Sequence, residues 1–231
     1  MSKLNTKDVK ASGAGIAKTL QPGNIACKIH GIELEDFKFK EGAYHLLLSL
    51  ESGPIEGFDG FLVDKDKPEG PKYKGQVGTV KASEWAFADG ETKGGKEISR
   101  DQEIMKFLKN ICVAIDKVKW LDSQDNKHET IESLVKAFNK EKPFKDILLD
   151  FCLCGKEYMN KNNFINYELF LPKFSKVGSP FAAIKAGAVS KVIVFNVDDH
   201  IKRKKVEASQ SLEDQASSEM NIPEGTQDFE L

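Results

Sequence analysis

Residues 24–34 read "NIACKIHGIEL", and the phase of this stretch decides the fold. Ile25, Cys27 and Ile29 alternate with Ala26, Lys28 and His30, the period of a half-buried strand. Gly31 breaks the phase, and Ile32 and Leu34 resume it one position out of step. A glycine inside a strand marks a bulge or bend. A strand that bends while keeping one apolar face is what a small barrel needs.

Outward from this stretch the β pattern continues. "AYHLLLSLES" (43–52) puts Tyr44, Leu46, Leu48 and Leu50 on one face, "IEGFDGFLVD" (55–64) reads as a third strand, and "YKGQVGTVKASEWAFAD" (73–89) supplies at least one more before the turn "ADGETKGG" (88–95). Strands separated by turn residues predict an antiparallel barrel or sandwich. The period then lengthens. Ser99 and Gln102 fit a capping box, followed at helical spacing by Ile104, Phe107, Leu108, Ile111, Cys112 and Ile115. "ETIESLVKAFNK" (129–140) predicts a second helix that buries Ile131, Leu134, Val135 and Phe138 and stops at Pro143. "FKDILLDFCLCGKEY" (144–158) and "FINYELFLP" (164–172) flank the polar turn "MNKNN" and predict a hairpin, and "VSKVIVFNV" (189–197) is a last apolar segment. Strands and helices are segregated, so the class is mainly β with α additions rather than a parallel α/β sheet.

Charge is distributed unevenly. The 231 residues sum to −2, but residues 206–231 hold seven acids and no Lys or Arg, which leaves +5 on the body. The reversal follows the run Lys202, Arg203, Lys204, Lys205. It points to an anionic partner for the body or a separate partner for the tail. The tail is rich in Ser, Gln and Glu, a composition that predicts disorder, with Phe229 and Leu231 as an apolar tip beside Asp228 and Glu230. No apolar run is long enough to span a membrane, and residues 1–20 are polar and lack a secretion signal's apolar core, so a cytoplasmic protein with free thiols is expected.

Catalytic motifs are sparse. "SGAGIAKT" (12–19) imitates a phosphate loop, but Ser12 and Ala17 stand where it needs glycines. "DKDKPEG" (64–70) lacks the glycine and terminal glutamate of a calcium loop. Cys152 and Cys154 offer two soft ligands without a second close-spaced Cys/His pair, so neither metal nor cofactor is expected. Asp198, Asp199 and His200 are the residues a metal-dependent nuclease would use; the reading preferred over it is a binding protein, not an enzyme. A third reading is a structural or assembly protein that makes protein contacts only.

Binding chemistry is better represented. Single-strand binders set cations against phosphates and stack bases on aromatic rings. Both residue types interleave in "PKYKG" (Lys72, Tyr73, Lys74), in "VKASEWAF" (Lys81, Trp85, Phe87 on one strand face), in "GKEYMNKNNF" (Lys156, Tyr158, Lys161, Phe164) and in "LFLPKFSK" (Phe170, Lys173, Phe174, Lys176). With Lys202 to Lys205 these are the candidate DNA-binding residues.

"GKEYMNKNNFINYELFLPK" (155–173), with "EGFDGFLVDKDKPEGPKYKGQVG" (56–78) and "LQPGNIACKI" (20–29), resembles the replication-associated single-stranded DNA-binding proteins of tailed bacteriophages, particularly crAss-like phages. The resemblance implies an OB-fold, a small Greek-key barrel with helical additions. It implies coating of single-stranded DNA during replication, recombination and repair in the cytoplasm of an infected bacterial host. It also implies an acidic tail, here Asp228, Phe229, Glu230 and Leu231, that recruits polymerase and primase-helicase and competes with DNA. The organisation expected is a flexible segment 1–20, an OB-like domain 21–200 with a two-helix insertion at about 99–141, and a basic cluster plus disordered acidic tail 201–231. DNA against RNA, and any homo-oligomer, stay open at this level.

Overall fold

The computed structural model describes residues 18–55, 61–62, 72–161, 164–176 and 178–203. The loop 64–70, most of the phosphate-loop imitation, Lys204, Lys205 and the acidic tail with Asp228, Phe229, Glu230 and Leu231 lie outside the described residues.

The chain opens with β1 (Gly23–Asp36) and β2 (Tyr44–Ser52), followed by a short ribbon, β3 (Phe61–Leu62) with β4 (Lys72–Tyr73). Next come β5 (Val77–Lys81) and the small hairpin β6 (Gly90–Glu91) with β7 (Glu97–Ile98). Three helices follow, α1 (Arg100–Ala114), α2 (Val118–Asp122) and α3 (Ile131–Glu141). After them run β8 (Leu148–Met159), β9 (Ile165–Phe170), β10 (Phe181–Ala183), the one-turn helix α4 (Val197–His200) and β11 (Ile201–Lys202).

Five strands close into a barrel in the order β1-β2-β5-β9-β8 and back to β1. Four of the five pairings are antiparallel, and β5 with β9 is parallel. The fully antiparallel barrel expected from the sequence is thus corrected to a mixed one. The reason is parity: directions cannot alternate around a ring of five, so at least one neighbouring pair must run the same way. A mainly β chain with a closed five-stranded barrel is compatible with an OB-like fold.

β1 carries the device that bends the ring. Ile29 faces Leu50 and Gly31 faces Ser49, so His30 is the extra residue of a bulge. The one-residue insertion changes phase, so Cys27 and Ile29 before it and Ile32 after it all bury on the inner side, with Leu46, Leu48 and Leu50 of β2. The bulge is held from outside. The Ile32 amide donates to Asn139 Oδ1 of α3 at 2.8 Å, and Asn139 Nδ2 donates back to the Ile32 carbonyl. A buried bulge would otherwise leave backbone groups without partners.

The helices complete this core rather than forming their own. α1 begins at Ser99, whose hydroxyl accepts the Gln102 amide. It buries Ile104, Phe107, Leu108, Ile111 and Cys112 in the same cluster as the barrel's inner side chains. α3 begins at Thr130, which accepts the Ser133 amide, and buries Ile131, Leu134, Val135 and Phe138. It ends at Lys142 in the left-handed conformation, immediately before Pro143. Phe138 stacks on Phe144 and meets Trp120 edge-on. α2 is an addition that periodicity does not reveal, because five residues make little more than one turn.

Two segments differ from expectation. The strand read across 73–89 breaks after Tyr73, resumes at Val77 and ends at Lys81, so Lys81, Trp85 and Phe87 do not share a strand face. The Ser83 hydroxyl accepts the Trp85 amide, a local bond that competes with the ladder, and Phe87 rejoins only as a bridge to Tyr44. The segment 189–197 forms an irregular strap with Val189 and Val194 exposed. Asn24 of β1 holds it, donating to the Ile193 carbonyl at 2.8 Å and accepting the Phe195 amide at 2.7 Å.

Candidate functional site

Outward positions on neighbouring barrel strands build one surface. Register places Leu47 beside Lys81 and Ser49 beside Thr79 across β2 and β5. Lys81 lies beside Phe170 across β5 and β9, and Glu168 beside Lys156 across β9 and β8. Above them the β1–β2 connection carries Phe37 and Phe39, and the turn after β5 carries Trp85.

Together these residues form a groove of about 230 Å³, lined by Phe37, Phe39, His45, Lys81, Trp85 and Phe170 among others. Lys156 and Glu168 also line an adjoining cleft of about 370 Å³ that ends at Tyr158. Phe39 is 89 % exposed, Trp85 67 % and Tyr158 47 %, so three large aromatic surfaces stand free along one track. Such exposure is costly unless a partner covers it.

Two cations of the track, Lys81 and Lys202, are held by the protein's own acids. Lys81 pairs with Glu168 across β5 and β9. Lys202 of β11 pairs with Glu84 at 2.5 Å and sits 5.9 Å above the ring of Phe170. Phe170, only 6 % exposed, is therefore the floor of the groove and not a free platform. His45 is also nearly buried, edge-on to Phe37 at 5.2 Å, and its Nδ1 has no hydrogen-bond partner among the described residues. Burial first, and then the nearby Lys81 charge, push its pKa below the ordinary histidine value.

The other sequence candidates scatter around this track. Tyr73 packs edge-on against His30 at the bulge, and with Ser49 and Thr79 it lines a smaller cleft on the outer face of β2 and β5. Its neighbours Lys72 and Lys74 are exposed. Lys161 and Phe164 stand exposed at the β8–β9 turn. Phe87 and Lys173 line a separate groove with Phe174 and the α1 residues Lys106 and Phe107. Lys176 and Arg203 are exposed away from any described ring contact. Asp198, Asp199 and His200 form α4, where Asn196 caps the Asp199 amide at 2.8 Å and bonds the Asp199 carboxylate at 2.6 Å.

Phe37, Phe39 and His45 also belong to the groove and are not among the sequence candidates. "FKFK" (37–40), the connection between two strong strands, interleaves aromatic and basic residues as the candidate stretches do.

Comparison with protein-family models, curated proteins and solved structures finds no match to this chain. Among the described residues no helix is long and apolar enough to cross a membrane.

Proposed function

We propose that the barrel is an OB-like Greek-key fold that binds single-stranded DNA without sequence specificity, in phage DNA replication, recombination and repair. The observation that carries this reading is that Phe39, Trp85 and Tyr158 stand exposed on the same side of a closed barrel as Lys81, Lys156 and Lys202. Exposed rings offer stacking platforms to bases, and the lysines offer partners to phosphates.

Topology supports the same reading. Counted within the barrel, the strand order is first-second-third-fifth-fourth, with the parallel contact between third and fifth and the helices between third and fourth. OB-folds bind oligonucleotides on the second and third strands and the loops beside them. Here that position holds His45, Lys81 and the Phe37–Phe39 loop.

Glu168 and Glu84 occupy Lys81 and Lys202 until phosphate displaces them, so these ion pairs lower the positive charge of the track when it is free. The acidic segment 206–231 acts the same way at longer range, competing for the track and recruiting replication proteins through Phe229 and Leu231. Titration with labelled oligo-dT tests the core of this reading. Micromolar or tighter binding that weakens steeply with salt is the expected result. No binding at low salt rejects it. Deleting residues 207–231 is expected to tighten binding, and unchanged affinity rejects the competition. Parallel titrations with RNA and duplex DNA define the ligand.

A further inference from the structure

Cys152 and Cys154 alternate on the outer side of β8, where side chains usually meet water, yet they are 0 % and 2 % exposed. The strap, continued by α4, lies on this side of β8. It is fastened by Asn24, which lies directly across from Cys152 in the β1–β8 register. Beyond the strap, β11 pairs with β8 at Gly155 and Lys156. Between these two attachments sits α4, and it brings His200 onto the two thiols. The ligand atoms of Cys152, Cys154 and His200 all lie within 4.8 Å of one another.

We propose that Cys152, Cys154 and His200 form a binding site for a zinc ion, with solvent as the fourth ligand. Two sulfurs and one imidazole are a soft donor set that suits Zn²⁺ and disfavours Mg²⁺ or Ca²⁺. Donor atoms around tetrahedral zinc stand about 3.5–3.8 Å apart, so closure needs a shift of about 1 Å or less. That shift falls on α4, a single turn with no buried residues, and not on the barrel. The two thiols each release a proton on binding.

Two existing hydrogen bonds oppose closure, one of them between the Cys152 and Cys154 side chains. The Asn196 amide donates to His200 Nδ1 at 2.9 Å. If Nδ1 ligates, its lone pair goes to the metal; if Nε2 ligates, the ring proton moves to Nδ1. Either way the Asn196 amide loses its acceptor. These two hydrogen bonds, and the waters the ion sheds, are thus exchanged for three protein–metal bonds. The ion then staples the strap to β8 two residues before Lys202, the cation above Phe170.

The sequence conceals this site because His200 lies 46 residues after Cys154. The test uses the full chain, reduced and stripped of metal, titrated with Co²⁺ as a spectroscopic probe and then with Zn²⁺. Expected are a thiolate-to-cobalt charge-transfer band, tetrahedral ligand-field bands, saturation at one ion per chain and displacement by Zn²⁺. Cys152→Ser should abolish the charge-transfer band. His200→Gln, a half-exposed position that leaves the barrel intact, should weaken cobalt binding by about tenfold or more. The Asn196 amide resonance should shift on zinc addition. Absence of the band at one equivalent overturns the proposal. So does a band that survives in the Cys152→Ser, Cys154→Ser double variant, which would place it on Cys27 or Cys112. These readouts need no DNA and stand apart from the proposed function.

Discussion

Replacing Trp85 by Ala isolates the stacking surface from the fold. The ring is 67 % exposed, and the described bond of this residue runs from its backbone amide to Ser83 Oγ, which alanine retains. A surface truncation of this kind changes folding stability by about 0.5 kcal/mol or less. If one base stacks on the ring, its loss costs about 1–3 kcal/mol of binding, which is roughly a 5- to 150-fold rise in Kd. The chain has two tryptophans. The other, Trp120, is half-buried against Phe138 and donates its indole N–H to Glu141 at 2.5 Å, away from the groove. Intrinsic fluorescence therefore reports on Trp85: oligo-dT should quench it in the parent protein. Trp85→Phe should bind nearly as well with most of the quench gone. Anisotropy of a labelled oligonucleotide supplies the affinities, and a urea melt checks the fold. An unchanged melt together with a Kd within twofold of the parent would refute the stacking track, provided the parent binds.

Three further outcomes follow from the same geometry. Glu168→Gln frees Lys81 for phosphate, so binding should tighten at low salt and the slope of log K against log salt should steepen by about 0.7; an unaltered slope would mean that Lys81 meets no phosphate. Asn139→Ala removes both bonds to Ile32 at the bulge and should cost about 1–3 kcal/mol, read as a lower urea midpoint; an unchanged midpoint would show that the bulge needs no clamp. His45 has a folded pKa below its unfolded value of about 6.5, so the unfolded chain binds more protons in that interval. Its contribution is full above about pH 6.5 and is lost as the pH falls through the lowered value. Urea midpoints measured from about pH 7.5 to 5 should fall more steeply in the parent than in His45→Gln, and parallel curves would remove His45 from the pH response.

Much of the barrel was legible because its information is local. The phase break at Gly31 reports a bulge from eleven residues, since strand side chains alternate regardless of what they pack against. The two longer helices, α1 and α3, were legible for the same reason: the Ser99–Gln102 pair and the apolar spacing act within a few residues of themselves, whereas the short α2 and α4 hold too little of a period to read. The ends of strands were not, because the Ser83 hydroxyl taking the Trp85 amide is a choice between a local bond and a ladder that the string of residues does not rank. The candidate site was half legible. Lysine and aromatic interleaving marks Lys81, Trp85, Lys156 and Tyr158, and Phe39 in "FKFK" meets the same criterion, but it also marks Phe170, whose burial only the fold decides.

The sequence by itself determined the class, the bulge, the two longer helices and the charge reversal at Lys205, all of which arise within short windows. Tertiary structure decided what depends on closure. Closing five strands forces one parallel pair, and the parallel contact of β5 with β9 brings Lys81 onto Glu168. The position of β11 sets Lys202 over Phe170 and turns an apparent platform into a floor. The Asn24 clamp and the pairing of β11 with β8 bring His200 beside Cys152 and Cys154, three residues whose joint chemistry depends on distance in space.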